Sequence, residues 1–320
     1  MLNFAPQSAV GWCPNIQVDD FNFRLLMPVL VKFVKEDAQT NHARKISFQC
    51  IFDMVAADKA GALEFAAEIL DVVLPVLSTS VDNTIREIGI SINQTLRKTD
   101  FGEFESGVSP ASVPATGTKA LDLLGMLGVI TAQLKSKSVS TRLASLRWIL
   151  MLHHDIPLRM YQHSDLITGI LLRSAEDAED RVATLALECL AEISSCASVE
   201  ARASTMQREY AAAFFDGFIL KLLASFKEHK KLLHVRGPFI VTNLGLLIGP
   251  ERLCKALSEA LQLQDDYEFA GRAAHELSRC VLTAPEFRLV RQKILNMFGG
   301  LIWSLARRSP RPWRHAASFF

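Results

Sequence analysis

Apolar residues in this chain recur as pairs of helical stripes separated by short polar turns. Segment 23–34 is densely apolar with Pro28 at its centre, and over 41–55 Ile46, Cys50, Ile51, Met54 and Val55 fall at helical spacing. The same phrase returns at 64–77, which carries Pro75 near its end, and at 82–97, where Ile85, Ile88, Ile92 and Leu96 share one stripe. Further pairs are predicted at 119–135 with 139–153, 159–173 with 178–194, 211–226 with 230–248, and, less regularly, 251–263 with 266–283.

The second helices share a register. Arg44, Arg86, Arg142 and Arg181 each stand near the start of one, four residues after Thr40, Asp82, Ser138 and Asp177, which are all side chains suited to an N-cap. Three residues after each arginine comes a small residue, Ser47, Gly89, Ser145 or Thr184, compatible with close helix packing. Arg236 continues the series imperfectly, with Leu232 at the cap and Phe239 at the small position. A helical hairpin recurring at roughly 40 residues is the signature of HEAT and armadillo arrays. One hairpin cannot bury its own apolar face, so neighbours must stack into a shared core. The expected fold is therefore all-α, a solenoid of stacked hairpins, and the prolines at 28 and 75 are expected to kink its first helices.

Polar stretches divide the array. An irregular segment is expected over 1–20, repeats over 21–98, a Gly/Ser/Pro-rich flexible linker over 99–118 and repeats again over 119–196. A short linker at 197–209, a helical C-terminal domain at 210–298 and a basic tail at 299–320 complete the expectation. Arg236-Gly237-Pro238-Phe239 places a proline inside an apolar helical run, which predicts a kink that either re-aims one hairpin against the next or opens a groove for a partner.

Composition narrows the function classes. With 320 residues, 49% hydrophobic and 22% charged, the chain has the make-up of a folded protein rather than a disordered or disulfide-stapled one. Its 35 Lys and Arg balance 34 Asp and Glu, so no global field favours nucleic acid or an anionic membrane. No apolar run approaches the length of a membrane span, and the first residues lack the pattern of a signal peptide. The six cysteines are scattered without a C-x-x-C pair, so Cys50, Cys189 and Cys280 read as small hydrophobes. Asn93-Gln94-Thr95 matches a glycosylation triplet, yet it lies within an amphipathic helix and is discounted.

Catalytic signatures are missing: the sequence has no G-x-S-x-G, no phosphate-binding G-x-x-x-x-G-K and no H-E-x-x-H. His153-His154-Asp155, with His163 nearby, is the one cluster that could offer ligands to a metal, and a helix end suited to imidazolium is the simpler account. Neither a catalytic residue nor a cofactor or metal site is expected. Lys227, Lys230, Lys231 and Arg236, with His229 and His234, make a basic turn that Glu228 partly balances. Trp148, among Leu143, Leu146, Ile149 and Leu152, is expected in the core.

The stretch Lys231-Leu-Leu-His-Val-Arg-Gly-Pro-Phe-Ile240 resembles the start of the C-terminal domain of the vacuole-morphology scaffold family Vac14. The likeness continues through Leu257–Leu261, Asp266–Ala270 and Val281–Phe287 to Gln292. Leu146–Ile149 with His153, Pro157 and Met160, and Leu187–Ile193, look like that family's last HEAT repeats. The likeness begins near Phe21 and is expected to end near Leu295, the pattern of a truncated product.

The resemblance implies a non-enzymatic scaffold on the cytosolic face of endosomes and vacuoles, in the complex that makes and removes phosphatidylinositol 3,5-bisphosphate. The partners implied are a FYVE-finger phosphatidylinositol 3-phosphate 5-kinase (PIKfyve in animals), a Sac-type phosphoinositide phosphatase and further copies of the scaffold, with membrane association through these partners. The partner-facing residues expected on this basis are Lys231, Arg236, Gly237, Pro238 and Phe239. A HEAT-repeat transport adaptor or importin-like cargo receptor is the alternative, and tryptophan–asparagine arrays that would favour it are not seen, with only four tryptophans present.

Overall fold

The computed structural model describes residues 20–35, 41–78, 82–102, 121–195 and 204–296. Among them every regular element is helical, and they form two compact units that divide at Ile156–Pro157. All but the last residue of the irregular segment 1–20, most of the 99–118 linker, much of the 197–209 linker and the basic tail fall outside the described residues, as does the expected cap Thr40.

The first unit contains α1 (Asp20–Lys35), α2 (Asn41–Ala57), α3 (Lys59–Glu64), α4 (Ala66–Val76), α5 (Asn83–Arg97), α6 (Leu123–Gln133) and α7 (Val139–Asp155). Hairpin partners pack together as α1 on α2, α4 on α5 and α6 on α7, while α1, α4 and α6 stack in one layer and α2 lies along α5 in the other. That is the two-layer stacking of an α-solenoid. Helix α5 shows why the pattern folds so. Ile85, Gly89, Ile92, Asn93 and Leu96 are buried on one stripe, and Asp82 starts the helix by accepting from the N–H groups of Thr84 and Ile85.

Three details depart from expectation. The helix expected over 64–77 is α4, and a short helix not expected from sequence precedes it: Asp58 caps α3 through the Gly61 N–H, and the chain turns at Phe65, leaving Pro75 in the last turn of α4. Ile46 is exposed, and Ser47 and Phe48 are buried in its stead. Phe101, placed by sequence in the linker, is fully buried, its ring edge-on to Trp148 with centroids 6.2 Å apart. Trp148 is fully buried as expected, and its Nε1–H donates to Asn93 Oδ1 at 2.8 Å. Asn93 is thus a buried tie between α5 and α7, in keeping with discounting the glycosylation triplet. Thr141 Oγ1 of α7 donates to the Leu74 carbonyl in the last turn of α4 (3.2 Å), where helix ends leave carbonyls short of partners.

The second unit contains α8 (Pro157–Tyr161), α9 (Ser164–Ala175), α10 (Asp180–Ser195), α11 (Thr205–Glu228), α12 (Lys230–Val235), α13 (Gly237–Ile248), α14 (Pro250–Gln262) and α15 (Tyr267–Thr283). A 3-10 turn, Pro285–Phe287, and helical residues 288–296 follow. Helix α9 pairs with α10, α11 with α12, and α14 with α15; α9, α11 and α14 form one layer, and α10, α13 and α15 the other. Helix α11 begins inside the stretch expected as a linker, because Ser204 and Gln207 form a reciprocal capping box. Gly249, at φ 98°, ends α13 in a conformation that favours glycine, and Pro250 opens α14 where its missing N–H costs nothing.

The arginine register holds in part. Arg44, Arg86 and Arg142 are each the fourth residue of α2, α5 and α7. Arg181 is the second residue of α10 and exposed, because Asp177 accepts from the Glu179 N–H and delays the helix start to Asp180.

Candidate protein-binding surface

The five residues expected to face a partner lie where the run 230–248 breaks. The expected kink is a junction between two helices: α12 ends at Val235, Arg236 takes φ −105° and ψ −17°, and α13 starts at Gly237 with Pro238 in its first turn. A proline there loses no backbone bond that the helix would have made. Helical bonding spans the junction from both sides, from Arg236 N–H to the Leu232 carbonyl (2.8 Å) and from Ile240 N–H to the Arg236 carbonyl (2.9 Å).

Arg236 is turned inward. Its guanidinium donates to Asp180 Oδ1 and to the Asp177 carbonyl, both at 2.6 Å, and lies over the Phe239 ring at 4.5 Å. It therefore ties the start of α10 to the start of α13, combining a charge-assisted pair with a cation–π contact. Gly237 is buried, Pro238 and Phe239 are half-buried, and Lys231 is exposed without an ion pair among the described residues. The structure brings Arg236 and Phe239 together as a brace and leaves Lys231 and the edge of Pro238 as the solvent-facing part.

Around this junction the basic turn is partly neutralised. Lys227 pairs with Asp266 (3.4 Å), and His234 reaches Glu276 (3.3 Å), which also meets Arg279 (2.9 Å). These groups border an open cleft of about 400 Å³ lined by Phe226, Leu233, His234, Phe269, Arg272 and His275. A second cleft of about 350 Å³ is mostly apolar, with Leu257, Leu261, Leu277, Phe287, Val290 and Ile294 among its walls.

Sequence reasoning missed the exposed apolar residues. Tyr267 is 86% exposed, Leu263 76% and Val235 71%. Leu263 and Tyr267 flank the α14–α15 turn, and Val235 ends α12. Apolar side chains at a turn rather than on a helix stripe were the available signal.

Among the described residues no three His, Cys, Asp or Glu side chains are grouped to hold a metal ion. His154 pairs with Asp155 (3.2 Å), whereas His153 is buried. Burial pushes the Cys189 and Cys254 thiols upward, which keeps them protonated as small packing groups. No described helix is long and apolar enough to cross a membrane.

Residues 230–315 match the family described as vacuolar protein 14 C-terminal Fig4p binding. The match runs past Leu295, where the likeness was expected to end. The chain is 25% identical to the vacuole morphology and inheritance protein 14 of Saccharomyces cerevisiae over 252 residues, covering 78% of this chain and 26% of that protein. It is 26% identical to the VAC14 homolog of Arabidopsis thaliana, covering 72% of this chain and 27% of that protein. Against the VAC14 homolog of Schizosaccharomyces pombe the identity is 22%, covering 88% and 32%. The chain thus spans about a quarter to a third of the length of these curated relatives, and its resemblance to the Vac14 family extends over most of its own length. Among solved structures, an engineered protein aligns with TM-score 0.36 at 12% identity, covering 80% of this chain and 96% of that one. A designed armadillo repeat protein aligns with TM-score 0.34 at 12% identity, covering 79% and 98%.

Proposed function

We propose that this chain, similar over most of its length to Vac14 proteins, is a non-enzymatic scaffold segment of the endosomal–vacuolar complex that controls phosphatidylinositol 3,5-bisphosphate synthesis and turnover. Its C-terminal unit engages a Sac-type phosphoinositide phosphatase. The observation that carries this reading is the match of residues 230–315 to a family described by its binding of Fig4p. The exposed apolar residues and clefts of the second unit supply a surface suited to such a partner. A FYVE-finger phosphatidylinositol 3-phosphate 5-kinase and further copies of the scaffold complete the assembly, which meets the cytosolic face of the membrane through its partners.

Within this reading Lys231, Arg236, Gly237, Pro238 and Phe239 form one edge of the phosphatase contact. Arg236, Gly237 and Phe239 hold its shape, and Lys231 and Pro238 present it. The test is capture of a purified Sac-type phosphatase by the full chain and by a Lys231→Glu variant. Wild type is expected to retain the phosphatase, and Lys231→Glu to lose it with an unchanged melting temperature. Equal capture by the two proteins removes Lys231 from the contact, and failure of wild type to capture removes the phosphatase reading.

A further inference from the structure

In the first unit, Arg97 of α5 and Arg147 of α7 are like charges near enough to repel each other, and among the described residues neither is paired with an acid. The Asn93–Trp148 hydrogen bond pins α5 to α7. Arg97 lies one helical turn beyond Asn93 on the same stripe, and Arg147 immediately precedes Trp148, so the bond that joins the helices also brings the two charges together. Arg97 is half-buried, and its Nε is shielded from solvent without a hydrogen-bond partner. Burial lowers the Arg97 pKa from its ordinary value, and the neighbouring Arg147 charge lowers it further. Among the described residues neither arginine takes part in an ion pair. The acids on these two helices are engaged elsewhere, Glu87 by Asn83 and Asp155 by His154.

The surroundings have the make-up of a peptide site. Gln94 is exposed three residues before Arg97, and Ile90, one turn earlier, is 38% exposed. Met151 is half-buried one turn after Arg147. A side-chain amide that can bracket a peptide backbone, two partly open apolar side chains and two planar guanidinium forks are suited to an extended chain bearing carboxylates. A bilayer fits less well, because the basic area is confined to one pair with Lys98 nearby rather than spread over a face.

We propose that Arg97 and Arg147 form a binding site for the carboxylate side chains of an extended acidic segment of a partner protein, laid across α5 and α7. This site is in a different unit from the match to the Fig4p-binding family, so it does not depend on the phosphatase reading.

The probe is a capped, fluorescein-labelled hexaglutamate peptide, followed by fluorescence anisotropy with the full chain. Wild type, Arg97→Gln and Arg147→Gln are compared with Arg173→Gln, which removes an exposed charge from α9 in the other unit. Saturable binding to wild type is expected, weakened at least tenfold in both Arg97→Gln and Arg147→Gln, weakened by added salt and unchanged in Arg173→Gln. Arg147→Gln should melt no lower than wild type, since it removes like-charge repulsion, and so remains informative should Arg97→Gln fail to fold. The proposal is overturned by the absence of saturable binding, by equal loss in Arg173→Gln, or by a clear fall in the Arg147→Gln melting temperature. Vesicles containing phosphatidylserine form a parallel arm, and Arg147-dependent vesicle binding without peptide binding assigns the pair to lipid and likewise overturns it.

Discussion

Trp148 stabilises the first unit in two separable ways, through ring packing and through its bond to Asn93. Trp148→Ala removes both and should cost about 3–5 kcal/mol. Trp148→Phe keeps much of the ring but leaves the buried Asn93 carbonyl unpaired, so it should cost less, about 1–3 kcal/mol. Denaturant titration of the two variants checks the order. A nearly unchanged Trp148→Ala would mean that the side chain is not packed. The burial of Trp148 was legible because Leu143, Leu146, Ile149 and Leu152 surround it at helical spacing. Its partner was not legible, since helical periodicity fixes which face is buried and does not specify which side chain of another helix will meet it. Arg236 illustrates the same limit. Its type suggested a donor to a partner's carboxylate, yet Asp177 and Asp180 of its own chain, remote in sequence, take those donors.

At the scale of elements, close approach decides what glycines can tolerate. A Cβ on Gly245 in α13 would stand 2.6 Å from Cζ of Phe287, whose ring is fully buried and cannot easily move. Gly245→Ala is therefore expected to destabilise by about 1–3 kcal/mol through overpacking. Gly128 in α6 is exposed and a Cβ there meets nothing within 4 Å, so Gly128→Ala should stabilise by up to about 1 kcal/mol through helix propensity. Opposite shifts in melting temperature are the expected result. Asp266 governs another helix start. The Phe269 N–H and, secondarily, Lys227 hold its carboxyl below the ordinary carboxylate value. A depressed acid stabilises the fold above its unfolded value and loses that contribution as pH falls through the folded one. Asp266→Asn should accordingly flatten the acid limb of the stability profile below about pH 4, as followed by circular dichroism. The helix pairs themselves were legible from apolar spacing. The breaks at Phe65 and at Arg236 were harder to read, because apolar residues continue on both sides and the deciding features are local, as with Pro238, which sits in the first turn of a helix rather than kinking one.

For the whole molecule, the two units have separate cores. Trp148, Phe48 and Phe101 are among the largest fully buried side chains of the first, and Phe218, Phe226 and Phe287 of the second. The division falls at Ile156–Pro157, inside the stretch 119–196 read from sequence as one run of repeats. Composition drew attention to the Gly/Ser/Pro-rich stretch, whereas compactness depends on which hairpins share side chains, and spacing does not record that. A unit with its own core should fold when separated, so a fragment 157–320 should keep its helical circular dichroism and a cooperative melt. If the proposed phosphatase contact lies within 230–315, the residues that match the Fig4p-binding family, that fragment captures a Sac-type phosphatase as the full chain does, and fragment 1–156 does not. Capture by the full chain but not by a demonstrably folded 157–320 would mean that the first unit contributes contacts, and the assignment of phosphatase binding to the C-terminal unit would then fail.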